Sequence, residues 1–205
     1  GPGFGGSCFK KDILNLVYLS RYFGLEEVGE FWEGVVKLNY WHQHRITNLV
    51  LKKLFGTVTG KKICILGFAF KANTNDTRES SSIRICNDLL EEGALLFIHD
   101  PKVNPKQIEK DLQKNEHNSL NNSILQGDNP IGEWSSIGDI IQGCTGADAI
   151  LVLTEWAEYS QLNWDEIYKK MRKPAWVFDA RSIVNSDEVI KSGLNLWRIG
   201  DGTNH

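Results

Sequence analysis

The chain has 205 residues, of which 41% are hydrophobic and 24% are charged, and its formal net charge is −3 at pH 7. This composition is typical of a globular protein that buries a substantial core, in one domain or in two small ones. The small negative charge gives no general attraction to nucleic acid or to an anionic membrane, so we expect neither as a partner. No apolar run is as long as a membrane span, and no basic-then-apolar leader is present in the sequence.

The first nine residues, GPGFGGSCF, place four glycines and a proline around Cys8. Glycine allows close approach of the backbone, so this run suits a loop whose main chain touches a ligand, although a disordered terminus is the alternative. Apolar residues with helical spacing follow from Lys10 to Gly24, so Cys8 stands just before a helix. A helix N-terminus favours negative charge, and a thiolate is the nucleophile for attack on a carbonyl. Asp12, one turn further on, is placed to orient a water or relay a proton.

A second helical pattern extends from Glu26 to Phe55 and predicts one helix of about 40 Å, with Gly34 as its expected break. Its aromatic residues indicate a connector or an oligomer interface. They are Phe31, Trp32, Tyr40 and Trp41. His42 and His44 form an HxH pair, but on a helix their side chains point about 200° apart, so no metal site is expected.

The pattern changes at residue 60. The segment KKICILGFAF predicts a buried strand, SSIRICNDLLEEG a helix and ALLFIHDP a second strand, and this order is the unit of a parallel sheet covered by helices. Three more strands are predicted at DAILVLT, AWVFDA and NLWRI, with helices near residues 137–142 and 164–171. Residues 114–136 are rich in Asn, Ser and Gly and are predicted to form a surface loop.

The predicted fold is therefore α/β: a doubly wound, Rossmann-like parallel sheet preceded by an α-helical dimerisation segment with a long helix. We expect the helical segment at residues 1–59 and the sheet at residues 60–205. The four cysteines, at positions 8, 64, 86 and 144, show no CxxC spacing, and two lie in apolar stretches where a free thiol acts as a small hydrophobic group. Free thiols favour a cytoplasmic location.

Open α/β sheets bind ligands beyond the carboxyl ends of their strands, where this sequence has GFAFK, TEW and FDAR. Lys71 and Arg181 are expected to converge there, a pair suited to phosphate unless each is simply a solvated surface cation. GFAFK contains only Gly67 and is not a GxGxxG motif, although Asp100 stands at the end of the second strand, the usual place of a ribose carboxylate. By pattern alone, a mononucleotide is at least as well supported as a dinucleotide.

A polar cluster, NDTRESSS, occupies residues 75–82 just before a predicted helix. Asp76 and Ser80 are both suitable N-caps, and a surface pair between Arg78 and Glu79 would complete a purely structural interpretation. That interpretation does not explain why an arginine stands so close to Lys71 at the binding edge of the sheet. We therefore keep Arg78 as a candidate binding residue.

The motifs GPGFGGSCFKKD, GFAFKANTNDTRESSS, HDPKV, TEW and FDAR stand in the order found in nucleotide-sugar dehydrogenases. The whole chain resembles the UDP-glucose/GDP-mannose dehydrogenase family, and GFAF and DTRESSS look more like its UDP-glucose enzymes than its GDP-mannose or UDP-N-acetylmannosamine ones. Family members are about twice as long, and their N-terminal half holds the NAD domain. The resemblance implies that residues 1–59 end the central helical domain, with the catalytic Cys loop, and that residues 60–205 form the UDP-sugar-binding domain.

The resemblance also implies an activity: oxidation of C6 of a UDP-sugar from alcohol to carboxylate with two molecules of NAD in succession, giving UDP-glucuronate from UDP-glucose. Cys8 would attack the aldehyde-level intermediate to form a thiohemiacetal and then a thioester, and Asp12 would handle the water and the proton. Further roles are implied by position in the motifs. Lys11 and Arg78 would face NAD, and Phe4, Gly5, Phe70, Lys71 and Arg181 would contact the UDP-sugar.

Two kinds of protein remain open on this basis. The first is a C-terminal part of such a dehydrogenase, forming a homodimer or a higher oligomer, that binds UDP-sugar but is inactive without the NAD domain. The second is a stand-alone UDP-sugar-binding or dimerising module without catalysis. A part of a GDP-mannose or UDP-N-acetylmannosamine dehydrogenase is a further alternative.

Overall fold

A computed structural model describes residues 1–119 and 132–202. The chain begins with two helices that pack against each other, α1 (Phe9–Tyr22) and α2 (Glu26–Lys53). The expected break of α2 at Gly34 is wrong, because the helix continues through this residue without interruption. Nothing lies within 4 Å of the position that a Cβ would occupy there, so the glycine meets no neighbour that could bend the helix.

An α/β unit follows the helical pair. Its elements, in chain order, are β1 (Lys62–Leu66), α3 (Ser81–Glu91), β2 (Leu95–His99), α4 (Pro105–Ser119), β3 (Glu133–Ser136), α5 (Ile140–Cys144), β4 (Ala149–Val152), a 3-10 helix (Ala157–Gln161), α6 (Trp164–Lys170), β5 (Trp176–Asp179), α7 (Ser186–Lys191) and β6 (Asn195–Arg198). All neighbouring strands pair in parallel. The order across the sheet is β3-β2-β1-β4-β5-β6. This is the strand order of a doubly wound Rossmann sheet, which confirms the predicted fold class.

The core lies on both faces of this sheet. The residues Ile63–Leu66 of β1 and all of β4 are buried, as expected for central strands that are covered by helices on each side. Ile46, Val50 and Leu54 of α2 belong to the same hydrophobic cluster as the strands. The second half of the long helix is therefore part of the α/β core, whereas Arg21 of α1 contacts its first half, at Glu26, Gly29 and Glu33.

The loop predicted for residues 114–136 is wrong at both ends. The helix α4 continues to Ser119, and β3 begins at Glu133 as an edge strand; residues 120–131 lie outside the described residues. The strand EWSS is mostly exposed and has no apolar run, which is why the pattern did not reveal it. The helix expected near residue 137 begins instead at Ile140, because the Asp139 side chain accepts a hydrogen bond from the N–H of Ile141 at 2.9 Å and caps it there.

The α1–α2 pair leaves many large apolar side chains in solvent. Tyr18, Tyr22 and Phe23 are 64 to 70% exposed near the turn between the helices, and Phe31 and Trp41 are 65% and 59% exposed on α2. Exposed apolar surface is often a site of association, and the interface expected on these helices stays a prediction. Within the described residues, no helix combines the length and the apolar character needed to cross a lipid bilayer.

Candidate functional site

The turn after β1, which carries the GFAFK motif, is fixed in one conformation by hydrogen bonds between its backbone groups and other parts of the chain. The N–H and C=O groups of Phe68, Ala69 and Phe70 all have partners at 2.6 to 3.1 Å. The N–H groups donate to the carboxylate of Asp100 and to the carbonyl oxygen of Asp76, and the C=O groups accept from Ser80, Thr154 and Arg181. Buried backbone groups need such partners, so the sequence around this turn determines its conformation.

Gly67 opens this turn with φ +98°, and a Cβ at this position would lie 2.3 Å from the Cβ of Thr154. The single glycine of GFAFK is thus needed for close contact with the end of β4. Thr154 is fully buried and donates its hydroxyl to the carbonyl oxygen of Ala69 at 2.6 Å. The sequence did not single out Thr154, although its place in the TEW motif, directly after a strand, was a usable signal.

Arg181 joins the ends of three strands. Its Nε donates to the carbonyl oxygen of Leu153 at 2.7 Å, its Nη2 donates to that of Phe70 at 3.0 Å, and its Nη1 lies 3.1 Å from Glu155 Oε2. Its side chain is only 17% exposed, and burial lowers the pKa of its guanidinium while Glu155 opposes that effect. Arg181 therefore holds the ends of these strands together, and we call it the Arg181 clamp. Some of its N–H donors are already used within the protein.

Lys71 lies at the same edge, as predicted, because Arg181 reaches the carbonyl oxygen of the residue just before it. The two cations differ in whether their hydrogen-bond donors are already used within the chain. Lys71 is exposed, its Nζ lies 5.4 Å from the ring centroid of Phe70, and in the described part of the chain it makes no hydrogen bond or ion pair. Of the two predicted phosphate-binding cations, Lys71 has the unused donors.

The N-terminal loop crosses this edge. A Cβ built on Gly1 would lie 3.3 Å from Arg181 Nη1, one on Gly5 would lie 3.2 Å from Cβ of Phe70, and the N–H of Gly6 donates to the carbonyl oxygen of Arg78 at 2.8 Å. The loop is thus ordered against the sheet rather than a free terminus. Its close contacts with the chain itself are one reason for its glycines, since a Cβ on Gly5 would stand 2.4 Å from the carbonyl oxygen of Glu79.

Asn39 of α2 fixes the middle of this loop. Its Oδ1 accepts from the N–H of Phe4 at 2.9 Å, and its Nδ2 donates to the carbonyl oxygen of the same residue at 3.1 Å. The ring of Phe4 packs edge-on against that of Phe9, with centroids 4.7 Å apart. Sequence reasoning missed Asn39; its helical spacing from Val36 and Ile46, which puts an amide on the buried face of α2, was the available signal, because a buried amide needs partners.

Cys8 is the N-cap residue of α1 and is exposed. Its carbonyl oxygen accepts from the N–H of Asp12 at 2.9 Å, and Asp12 and Lys11 are exposed in the first turn of this 14-residue helix. The thiol is 3.7 Å from the hydroxyl of Ser7. As predicted, the cysteine stands at a helix N-terminus, where backbone N–H groups and the helix dipole favour an anion.

Arg78 is held beside Cys8 by Asp76. The guanidinium makes three contacts of 2.7 to 3.1 Å with the Asp76 carboxylate, which also accepts from the N–H of Arg78 at 2.9 Å. Arg78 holds the pKa of Asp76 below its usual value, and Asp76 in turn raises the pKa of Arg78. The surface pair between Arg78 and Glu79, which belonged to the purely structural interpretation, does not form: Glu79 instead pairs with Lys10 at 2.9 Å.

The remaining residues of NDTRESSS fix the segment to its surroundings. Ser80 is the N-cap of α3, as predicted, and the other proposed cap, Asp76, serves Arg78. Thr77 donates to Asp111 of α4 at 2.5 Å, and Ser81 donates to the carbonyl oxygen of Gly3 at 3.4 Å. The segment therefore links the α3 N-terminus, α4 and the N-terminal loop.

A cleft of about 1000 Å³ opens beside Arg78, between α2, α3 and α4. Its cations include Lys10, Arg84 and Lys110. Arg84 lies over the ring of Tyr40, with its guanidinium carbon 4.2 Å from the ring centroid. Arg78 lines this cleft, whereas Lys71 and Arg181 are not among its lining residues.

The β1 turn does not fit a bound NAD. In a dinucleotide-binding Rossmann domain, the N–H groups of the glycine-rich turn after the first strand receive the pyrophosphate. Here the N–H groups of Phe68 and Ala69 are already bonded to Asp100, at 2.8 and 2.9 Å, and both residues are fully buried. Asp100 is thus not available as the ribose carboxylate that its position suggested.

Titratable side chains are not grouped for metal binding. Among residues 1–119 and 132–202, no set of three or more His, Cys, Asp and Glu side chains is placed to hold an ion. His42 and His44 have separate partners: His42 Nε2 lies 3.0 Å from the carbonyl oxygen of Gly1, and His44 Nδ1 lies 2.8 Å from Asp88 Oδ2. All four cysteines are free thiols.

A family model described as the UDP binding domain of the UDP-glucose/GDP-mannose dehydrogenase family matches residues 64–186. The chain belongs to this family. The match covers the strands from β1 to β5, the Asp100 turn and the Arg181 clamp, so the site described above lies largely within the family's UDP-binding domain.

The similarity to full-length relatives covers nearly the whole chain. The chain is 44% identical over 200 residues to UDP-glucose 6-dehydrogenase 1 of Glycine max, an alignment that covers 97% of this chain and 42% of the relative. The chain thus spans about two fifths of the length of this relative and corresponds to its C-terminal part.

Solved structures have the same fold. A UDP-glucose dehydrogenase from Pyrobaculum islandicum matches with a TM-score of 0.66 and 28% identity, over 92% of this chain and 37% of that one. A UDP-D-ManNAc dehydrogenase from Pyrococcus horikoshii matches with a TM-score of 0.69 at 24% identity, over 98% of this chain and 40% of that one, which supports the fold alone.

Proposed function

We propose that this chain is the UDP-sugar-binding, C-terminal part of an NAD-dependent dehydrogenase that oxidises C6 of UDP-glucose to give UDP-glucuronate. The observation that carries the proposal is the path of the N-terminal loop. It starts at Arg181 on the strand-end edge, passes Phe70 and ends at Cys8 at the start of α1. One ligand at this edge can therefore meet both phosphate-binding cations and a nucleophile.

In this proposal, Lys71 donates to oxygen atoms of the UDP-sugar, and Phe4, Gly5, Phe70 and Arg181 line its site. The exposed, unpaired ammonium of Lys71 supports this role, since it has three donors to offer. Arg181 keeps the edge in shape through Leu153 and Phe70 and contributes its positive charge. The aromatic ring of Phe70 provides an apolar surface beside the two cations.

Cys8 acts in the second half of the oxidation. Its thiolate adds to C6 of the aldehyde, a C–S bond forms, and the carbonyl oxygen takes a proton to give a thiohemiacetal. After a two-electron oxidation to the thioester, water attacks C6, the C–S bond breaks and the thiolate leaves. Asp12 orients the water and takes its proton. The helix N-terminus at Cys8 supports this assignment, because it favours the thiolate that both forms and leaves.

NAD is the hydride acceptor that the resemblance implies for both oxidations. The β1 turn of this chain does not fit it, so its main site belongs to another part of the enzyme. Lys11 and Arg78 are proposed to face it, because both are exposed: Lys11 lies in the first turn of the helix that Cys8 caps, and the carbonyl oxygen of Arg78 accepts from Gly6 in the loop that leads to Cys8. We expect no NADH from the chain alone with UDP-glucose and NAD at high protein concentration, and steady absorbance at 340 nm would contradict this.

The α1–α2 pair is proposed to join two copies of the chain. The apolar side chains exposed on these helices have no partner within the described residues that removes them from water. A symmetric contact between two copies would bury them. We therefore propose a homodimer, or a higher oligomer built from it.

The test of the binding site compares Lys71 with Arg78 by calorimetric titration of UDP and UDP-glucose. Loss of a charge-assisted hydrogen bond in Lys71→Ala should weaken binding about tenfold to a hundredfold. Arg78→Ala is the matched control: it removes a nearby exposed cation that should leave nucleotide-sugar affinity unchanged. Thermal melting checks that each variant is folded.

Two results would overturn the assignment. Equal weakening of binding in Arg78→Ala and Lys71→Ala would mean that the two cations share one ligand. A wild type that bound neither UDP nor UDP-glucose at millimolar concentration would contradict binding by the chain alone.

A further inference from the structure

Asp100 makes an unusual number of hydrogen bonds for a carboxylate at a strand end. Its Oδ2 accepts from the N–H groups of Phe68 and Ala69, at 2.8 and 2.9 Å, and from the indole Nε1 of Trp156 at 3.2 Å. Its Oδ1 accepts from the N–H groups of Lys102 and Val103, at 2.9 and 3.0 Å. Five N–H donors thus converge on a single side chain.

This arrangement has the chemistry of a phosphate site. Successive backbone N–H groups in the turn after the first strand of a doubly wound sheet form a cavity for an anion, and Rossmann domains fill it with a ligand phosphate. Here the anion comes from the neighbouring strand, β2, which pairs with β1 so that His99, the residue before Asp100, lies beside Leu66. A carboxylate has room for about four acceptor bonds, so these contacts use its full capacity.

We propose that Asp100 is a built-in substitute for a ligand phosphate: it occupies the anion position of the β1 turn and keeps that position closed to phosphate. Two observations support permanent occupation. Phe68 and Ala69 are fully buried, and their carbonyl oxygens are also held, by Ser80 at 2.8 Å and by Thr154 at 2.6 Å. The turn is therefore complete without any ligand.

The occupied turn restricts where the diphosphate of a nucleoside diphosphate can bind on this sheet. This consequence rests on the proposed function. Because the backbone donors of the turn are used, the diphosphate must be held by side chains further out, beyond Phe70. Lys71 is the exposed cation at that point. Asp100 thus favours a nucleotide-sugar over a dinucleotide at this edge, although it contacts neither ligand.

The experiment uses inorganic phosphate as the probe, so it does not depend on UDP binding. Asp100→Ala empties the anion position, and Asp100→Asn refills it with a neutral amide of the same size. Both variants should melt below the wild type. Only Asp100→Ala should recover, by about 5 °C or more with phosphate near a hundred times its dissociation constant, because binding to the folded state alone stabilises it. Acetate should act in the same way as phosphate.

A matched control and a measurement on the unmodified chain complete the test. Asp139→Ala removes a capping carboxylate that accepts one N–H, from Ile141, and its melting should not respond to phosphate beyond the response of the wild type. In the wild type, the amide resonances of Phe68 and Ala69 should not move during phosphate titration. Movement of these two signals, or equal recovery of the Ala and Asn variants, would overturn the proposal, even if Asp100→Ala failed to fold.

Discussion

The turn after β1 and the α1–α2 pair use their side chains in opposite ways. In the turn, the backbone groups of Phe68, Ala69 and Phe70 are bonded to partners in the same chain, and the side chains of Phe68 and Ala69 are fully buried. On the helices, Tyr22 and Phe31 are 70% and 65% exposed. The backbone groups of the turn thus find their partners within one copy of the chain, whereas the helical pair leaves apolar side chains exposed to water.

This difference separates two physical tasks. A site that must bind a charged ligand benefits from a shape that exists before the ligand arrives, because ordering it on binding would reduce affinity. A surface that associates with another molecule benefits from apolar area that is removed from water on contact. The first region is therefore tested by removing internal bonds, and the second by adding charge to its surface.

The largest effect is expected for self-association through α2. Phe31 and Leu38, two helical turns apart on the same face and 65% and 61% exposed, should be buried between two copies. The double variant Phe31→Asp/Leu38→Asp should weaken dimerisation more than a hundredfold, because charges in an apolar contact are left without partners. Sedimentation equilibrium of wild type and variant measures this directly.

Ile190 provides a matched control for that variant. It is 60% exposed on α7, outside the helical pair, so Ile190→Asp should leave the association constant unchanged. A wild type that stays monomeric at high micromolar concentration, or a Trp41→Ala variant that associates just as tightly, would count against the helical interface.

The second effect concerns the clamp at the strand ends. Arg181→Ala leaves the carbonyl oxygens of Leu153 and Phe70 without their donor and removes the ion-pair partner of Glu155. We expect the free energy of unfolding to fall by about 2–4 kcal/mol. Urea denaturation measures this loss, and Lys71→Ala, a substitution at an exposed cation of the same edge, should stay within about 0.5 kcal/mol of wild type. Equal losses in both variants would show that Arg181 is not a structural clamp.

The smallest effect compares two glycines. Gly5→Ala places a Cβ 2.4 Å from the carbonyl oxygen of Glu79, so stability should fall by about 1–2 kcal/mol. Gly34→Ala meets nothing within 4 Å on α2, so stability should rise by about 0.5–1 kcal/mol. Urea denaturation gives the sign of the change in the free energy of unfolding for both variants. Hydrogen exchange of the Gly6 N–H, which donates to the carbonyl oxygen of Arg78, reports whether the loop has moved. A stable Gly5→Ala variant with a protected Gly6 would contradict the packing described here.

The sequence was sufficient where apolar periodicity is strong. It predicted α2 from Glu26, the central strands and the doubly wound sheet, because buried strands and amphipathic helices have clear patterns. It failed for β3, whose side chains are mostly exposed, and for the path of α4 to Ser119. Edge strands and solvated helices depend on pairing with elements that are distant in the chain, and no local pattern records that pairing.

For the candidate site, the motifs gave positions but not partners. Lys71 and Arg181 were expected at one edge and lie there, yet the sequence could not show that Arg181 is bonded to Phe70 and Leu153. Asp100 was expected to face a ribose and instead bonds the β1 turn. Such hydrogen bonds join residues that are 28 to 111 positions apart, so only the folded chain reveals them.

One feature of α2 links the two regions mechanically. Asn39 holds the N–H and the C=O of Phe4, so the loop that ends at Cys8 must follow any displacement of this helix. Trp41, two residues further, points to the opposite side and lies in solvent. A second subunit that bound at Trp41 and displaced α2 would therefore also displace the N-terminal loop, because Asn39 holds Phe4. In such an assembly, the position of Cys8 would depend on the contact between subunits.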